Sequence, residues 1–132
     1  MSFALHPQLA ADTVTLADWA LSRVCLMDDA RYPWLILVPR CDGLGELHDL
    51  SHAEGLVLIE EIKRASEGLK RITDAAKINV AALGNLVPQL HIHVVARNPG
   101  DAAWPGPVWG HGARVPYTPD AKEALIERLA KL

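Results

Sequence analysis

The chain has 132 residues, 50% of them hydrophobic and 22% charged, enough for one domain with a real core and too apolar for a disordered tail. Thirteen Lys and Arg against sixteen Asp and Glu leave a formal net charge of −3, which argues against a polynucleotide-binding surface, since that needs a basic excess. Seven aromatic residues include four Trp, and there are six His.

In chain order, residues 1–7 show neither the basic nor the apolar region of a secretion signal. Thr13 to Trp19 alternates loosely and predicts a short strand; Arg23 to Met27 predicts a second, stopped by Asp28 and Asp29. Pro33 marks a turn, because proline cannot donate to a ladder and restricts the residue before it. Trp34 to Val38 is a continuous apolar run ended by Pro39, as expected of a strand covered on both faces. It is the longest apolar run in the chain and falls far short of the roughly 20 residues of a membrane span.

Ser51 and Glu54 fit a capping box that opens a long helix. Leu58, Ile62, Ala65, Leu69 and Ile72 recur at steps of three and four, one apolar stripe, while Glu60, Glu61, Lys63, Arg64, Lys70 and Arg71 are assigned to the wet side. Lys77 to Leu83 predicts a strand, and Gln89 to Arg97 another, closed by Asn98, Pro99 and Gly100. Thr118 and Pro119 suit a helix start, with Leu125, Leu129 and Leu132 as its buried stripe. The order strand, strand, strand, helix, strand, strand, helix predicts an α+β fold: a mainly antiparallel sheet of about five strands with a long helix and a C-terminal helix packed on one face. One domain is expected over residues 1–132. Cys25 and Cys41 are too few for a disulfide framework and read as small core residues. A cytoplasmic protein without membrane attachment is the expectation.

The strand from Gln89 to Arg97 carries the chemistry. With period two, one face presents Leu90, Ile92, Val94 and Ala96, all apolar, and the other presents Gln89, His91, His93, Val95 and Arg97. Same-face neighbours sit roughly 7 Å apart, so two imidazoles and a guanidinium can converge on one group about the size of a phosphate. Three readings are open from these residues. The face is an exposed polar surface with incidental histidines, or His91 and His93 share a metal ion, or they form a nucleophilic and acid–base pair. No third residue stands at a recognisable metal-ligand spacing.

The run Gly84-Asn85-Leu86-Val87-Pro88-Gln89-Leu90-His91-Ile92-His93-Val94-Val95 resembles the signature of the histidine-triad (HIT) superfamily. That signature is Gly-Gln-x-Val-x-His-φ-His-φ-His-φ-φ, with φ apolar. Val24 to Arg40 is similar to the family's nucleoside-binding hairpin, and the resemblance covers roughly residues 13 to 105. One departure is plain: Gln89 stands where the family has its first His.

The resemblance implies a nucleotide hydrolase or transferase that cleaves at the α-phosphorus of a nucleoside phosphoramidate or dinucleoside polyphosphate. His91 would attack phosphorus to give a nucleotidyl-histidine. His93 would contact the phosphate and leaving group, and Gln89 and Asn85 would bind phosphate oxygens or fix the imidazoles. Asp28, or Asp29, would meet the ribose hydroxyls, with Arg97 and Asn79 as further nucleotide contacts. The implied partner is a nucleotide-sized small molecule, with no metal, no other cofactor and no polynucleotide, and the implied assembly is a homodimer. A non-catalytic nucleotide-binding protein on the same fold, and a metal-dependent enzyme using His91 and His93, are the alternatives. Trp104 and Trp109 either flank a ligand or cover the sheet; Trp19 and Trp34 are assigned to the core. His6, His48, His52 and His111 receive no role.

Overall fold

The computed structural model describes residues 3–132. Five strands form one antiparallel sheet: β1 (Thr13–Asp18), β2 (Ser22–Met27), β3 (Trp34–Pro39), β4 (Lys77–Ala81) and β5 (Ile92–Arg97). Their spatial order is β1-β2-β3-β5-β4. Three helices accompany it: α1 (Pro7–Asp12), α2 (His52–Thr73) and α3 (Pro119–Leu129). The α+β class and both long helices agree with the sequence reading.

The sheet separates two apolar clusters because its inner strands are apolar on both faces. Val24, Leu26, Leu35, Leu37, Ile92, Val94 and Ala96 join the α2 stripe of Leu58, Ala65 and Leu69 and the α3 residues Leu125 and Leu129 on one side. A fully buried Leu such as Leu35 or Leu37 contributes about 1.5–3 kcal/mol relative to exposure. On the opposite side Cys25, Trp34, Ile36, Val38 and Val95 meet Leu9 of α1 and Val108 of the loop after β5. The α2 start is capped as expected: the Glu54 amide donates to Ser51 Oγ and the Ser51 amide to Glu54 Oε1. Thr118 caps α3 with Pro119 at its first position.

Four details differ from the sequence reading. A first helix, α1, and a short 3₁₀ turn at Leu47–Asp49 are present. Both are too short for periodicity to reveal. Regular pairing in β5 begins at Ile92, so Gln89, Leu90 and His91 lead into the strand, and β4 ends at Ala81. Glu61 is not on the wet side: it is 6% exposed, and its carboxylate accepts from the Leu21 and Ser22 amides at 2.9 and 3.0 Å. The polar face of β5 is also no open surface, since His91, His93 and Arg97 are all buried. Cys25 is buried and Cys41 partly so, and the Cys41 thiol lies 3.4 Å from Glu54 Oε2.

Candidate active site

β5 is an interior strand, flanked by β3 and β4, and the register sets Ile36 and Ala81 opposite His93. Alternation along β3 then places Trp34 and Ile36 on the histidine face. The two imidazoles lie with ring centres 4.8 Å apart at 67°. His91 and His93 are 6% and 5% exposed. They form part of the wall of a cavity of about 850 Å³, whose apolar side includes Leu9, Met27, Ile36 and Val108. That size suits a nucleotide-sized ligand.

Hydrogen bonds assign a different tautomer to each ring. His91 Nδ1 lies 2.7 Å from the Gln89 carbonyl oxygen; a carbonyl only accepts, so Nδ1 carries the proton and Nε2 keeps its lone pair. His93 is the reverse. The Trp34 indole N–H donates to its Nδ1 at 3.0 Å, so the neutral ring bears its proton on Nε2. Burial, and then the neighbouring His91, push the His93 pKa down to about 3. His93 is therefore a neutral hydrogen-bond donor at physiological pH. Trp109 packs edge-on against it, centroids 5.4 Å apart, and against Trp34 at 6.2 Å.

The remaining sequence-named residues divide. Asn85 lines the cavity beside Gly84, where a φ of +82° suits a residue without a Cβ. The side chain of Gln89 is engaged elsewhere: its Oε1 accepts from the His6 amide at 2.8 Å and its Nε2 donates to the Ala4 carbonyl at 2.9 Å. Gln89 instead lines a smaller cavity of about 260 Å³, together with Glu46, His48 and His91. Asp28 does not line the main cavity; it accepts from the Tyr117 amide at 3.0 Å and pairs with Lys122 at 3.2 Å. Burial opposes its ionisation, but these partners outweigh it and hold the carboxyl below its ordinary range.

Asp29 does line the cavity, paired with Arg31 at 2.8 Å. Arg97 and Asn79 do not. Arg97 donates to both oxygens of Asp101 at 2.8 and 3.0 Å, to Asn79 Oδ1 at 2.8 Å and to the Gly106 carbonyl at 2.8 Å. Four of the five guanidinium N–H groups are thus committed to the protein, away from the cavity. Trp104 stacks over Arg97 instead of meeting the imidazoles, with Arg97 Cζ 5.7 Å from its ring centre.

Sequence reasoning passed over two cavity residues, Trp34 and His6, and left Trp109 between flanking a ligand and covering the sheet. Trp34 was assigned to the core, yet its N–H orients His93. Trp109 and His6 both line the cavity. Of the two residues passed over, only Trp34 carried a signal, its alternation with Ile36, and that needs the β3–β5 register to be read. Among the described residues no three His, Cys, Asp or Glu side chains stand close enough to hold a metal ion.

An antiparallel sheet of this order, with a buried imidazole pair at the head of an interior strand and a cavity on the face away from the long helices, defines a small-ligand α+β protein of the histidine-triad kind. The family model of the HIT domain matches residues 8–100, and the chain belongs to the HIT family, which supports a nucleotide-binding or hydrolase role. It is similar to a histidine triad protein from Bradyrhizobium japonicum, 45% identical over 99% of this chain and 98% of that one, with a TM-score of 0.97. One from Marinobacter aquaeolei is 45% identical, covering 99% and 96%, with a TM-score of 0.97. A third, from Sinorhizobium meliloti, is 40% identical, covering 98% and 96%, at 0.96. No curated protein gives a significant match to the chain.

Proposed function

We propose that the protein is a nucleotide hydrolase or transferase that cleaves at the α-phosphorus of a nucleoside phosphoramidate or dinucleoside polyphosphate, with His91 as nucleophile. The supporting observation is the opposed tautomers of the histidine pair. The Gln89 carbonyl leaves the His91 Nε2 lone pair free, while Trp34 leaves His93 with an Nε2–H donor beside it. In the first step His91 Nε2 bonds to phosphorus and the leaving group departs with the electrons of its P–N or P–O bond. A departing amine takes up a solvent proton, which the attacking water of the second step gives back. The imidazole becomes cationic, and its Nδ1–H still bonds to the Gln89 carbonyl. Water then displaces His91 to release the nucleoside monophosphate, so one hard displacement becomes two easier ones. His93 and Asn85 donate to the phosphoryl oxygens, where preformed donors stabilise developing charge. The apolar wall at Met27 and Ile36 suits a base, and Asp29 on the same wall, whose Oδ2 accepts from Arg31 alone, suits a ribose hydroxyl.

The unit acts as one domain in the cytoplasm, and as a homodimer. The last reading is supported by the free edge of β4, where Val80 is 47% exposed, and by the nearby Leu83 and Leu86, 48% and 94% exposed.

The test is incubation with adenosine 5′-phosphoramidate and a diadenosine polyphosphate in the presence of a chelator. Wild type releases nucleoside monophosphate, acid quenching traps a nucleotidyl adduct on His91, and His91→Ala abolishes both. Equal turnover by His91→Ala removes the nucleophile assignment. Nucleotide binding without turnover of either compound makes the protein a binder, and turnover only before chelation makes it a metal enzyme.

A further inference from the structure

We propose that His6 is a third phosphate-binding imidazole of this cavity, delivered from outside the signature strand and held in place by Gln89. The inference rests on the nucleotide reading above. Its starting point is the position where the signature changes. The Gln89 side chain grips the backbone of the N-terminal segment at two points, the Ala4 carbonyl and the His6 amide. The carbonyl of the same residue holds His91. Gln89 thus couples the candidate nucleophile to His6, 83 positions away in the chain.

His6 lines the main cavity together with His91 and His93. Its tautomer is set as well: the Gln8 amide donates to His6 Nδ1 at 3.0 Å, so the neutral ring carries its proton on Nε2. That N–H has no hydrogen-bond partner among the described residues. The segment behind it is anchored, since Leu9 is 4% exposed within the cluster on the histidine face. The Thr13 hydroxyl also donates to the Leu9 carbonyl at 2.6 Å. The cavity wall therefore carries two imidazoles whose Nδ1 is occupied by a donor, His6 and His93, and one with a free Nε2 lone pair, His91. Two N–H donors on the wall that holds the nucleophile suit the anionic oxygens of a phosphoryl group.

Binding separates this role from a structural one. The four nucleoside 5′-monophosphates and the matching nucleosides are titrated calorimetrically into wild type, His6→Ala, His6→Asn and Gln89→Leu. His6→Asn keeps an acceptor for the Gln8 amide, because Asn is a good N-cap, but its shorter side chain withdraws the Nε2–H. The expected result is that wild type prefers monophosphate over nucleoside. Both His6 variants lose about tenfold of that preference while nucleoside affinity holds, and Gln89→Leu does the same by releasing the segment. The kcat of the His6 variants falls about 10²-fold, the usual loss for one preformed donor. An unchanged monophosphate-to-nucleoside ratio in His6→Asn overturns the proposal, even if turnover is intact. If wild type binds with this preference but turns nothing over, the hydrolase reading fails and the His6 assignment stands. No binding of any monophosphate by wild type overturns both.

Discussion

His93 is held on every side: an indole N–H on its Nδ1, Trp109 edge-on to its ring, His91 4.8 Å away and 5% exposure. Removing the indole donor while keeping an aromatic ring tests what that restraint does. Trp34→Phe leaves a buried acceptor unpaired, which costs about 1–3 kcal/mol of stability by chemical denaturation. It also frees His93 to change tautomer, so kcat/KM falls about tenfold, an effect worth ~1.4 kcal/mol. A Trp34→Phe protein with wild-type turnover would mean that the indole only packs. Protonation gives a second test. The native ring stays neutral down to about pH 3, whereas an unfolded His takes up a proton near pH ~6.5. Between those values the unfolded state binds one proton more, so stability falls as the pH drops, by up to about 1.4 kcal/mol per pH unit. Asp28, Asp29 and Asp101, also held below their ordinary range, add a loss of the same sign only near and below the unfolded carboxylate pKa of ~3.9. Glu54, also held low by its Ser51 partner, adds its loss near and below ~4.3. Urea titrations between about pH 5.5 and 6.5 therefore isolate His93, and His93→Gln should flatten the slope there. An equally steep slope in that variant assigns it to another group.

Arg97 shows what an element contributes that its residues alone do not reveal. Alternation along β5 puts it on the histidine face, and the sequence reading aimed it at phosphate. Instead its side chain, 2% exposed, pairs with Asp101 and reaches the Gly106 carbonyl. It clamps the Pro-rich loop that brings Trp109 to the cavity. Arg97→Met should cost about 3–5 kcal/mol, the usual penalty for leaving one partner of a buried ion pair alone. The measurements are a chemical denaturation curve and a shift in Trp fluorescence as the loop loosens; a loss below about 1 kcal/mol would place the anchor elsewhere. Elements whose cause is local were legible in the sequence. The capping box at Ser51 and Glu54, the Thr118–Pro119 start, the apolar run of β3 and the alternation of β5 all act within a few residues. Pairings across long stretches of chain were not legible: Glu61 with the Leu21 and Ser22 amides, Gln89 with the N-terminal segment, Trp34 with His93 through the β3–β5 register. The histidine pair was found because its two members lie two residues apart at the head of one strand. Most of its surroundings come from other elements.

At the scale of the whole molecule, the sheet has two ends of different character. β1 is partly covered by α1, while β4 presents an outer edge with Val80 47% exposed. An open edge offers unpaired N–H and C=O groups as a template for another strand, and apolar side chains along it favour burial. No helix among the described residues is long and apolar enough to cross a membrane. Pairing of β4 with β4 of a second copy would continue the sheet and cover this edge in one step. Val80 is not among the residues that line the cavity, so a substitution there probes assembly without altering the cavity wall. Light scattering should give about twice the 14.4 kDa of one chain, with a Tm that rises with protein concentration, as mass action requires of a dimer. Val80→Lys places a charge on the edge without entering the cavity; it should yield a monomer whose Tm no longer depends on concentration and whose kcat stays within about threefold of wild type, a difference of well under 1 kcal/mol. A wild-type protein of 14.4 kDa at every concentration removes the dimer. A monomeric variant that is folded but inactive shows instead that the site needs its partner.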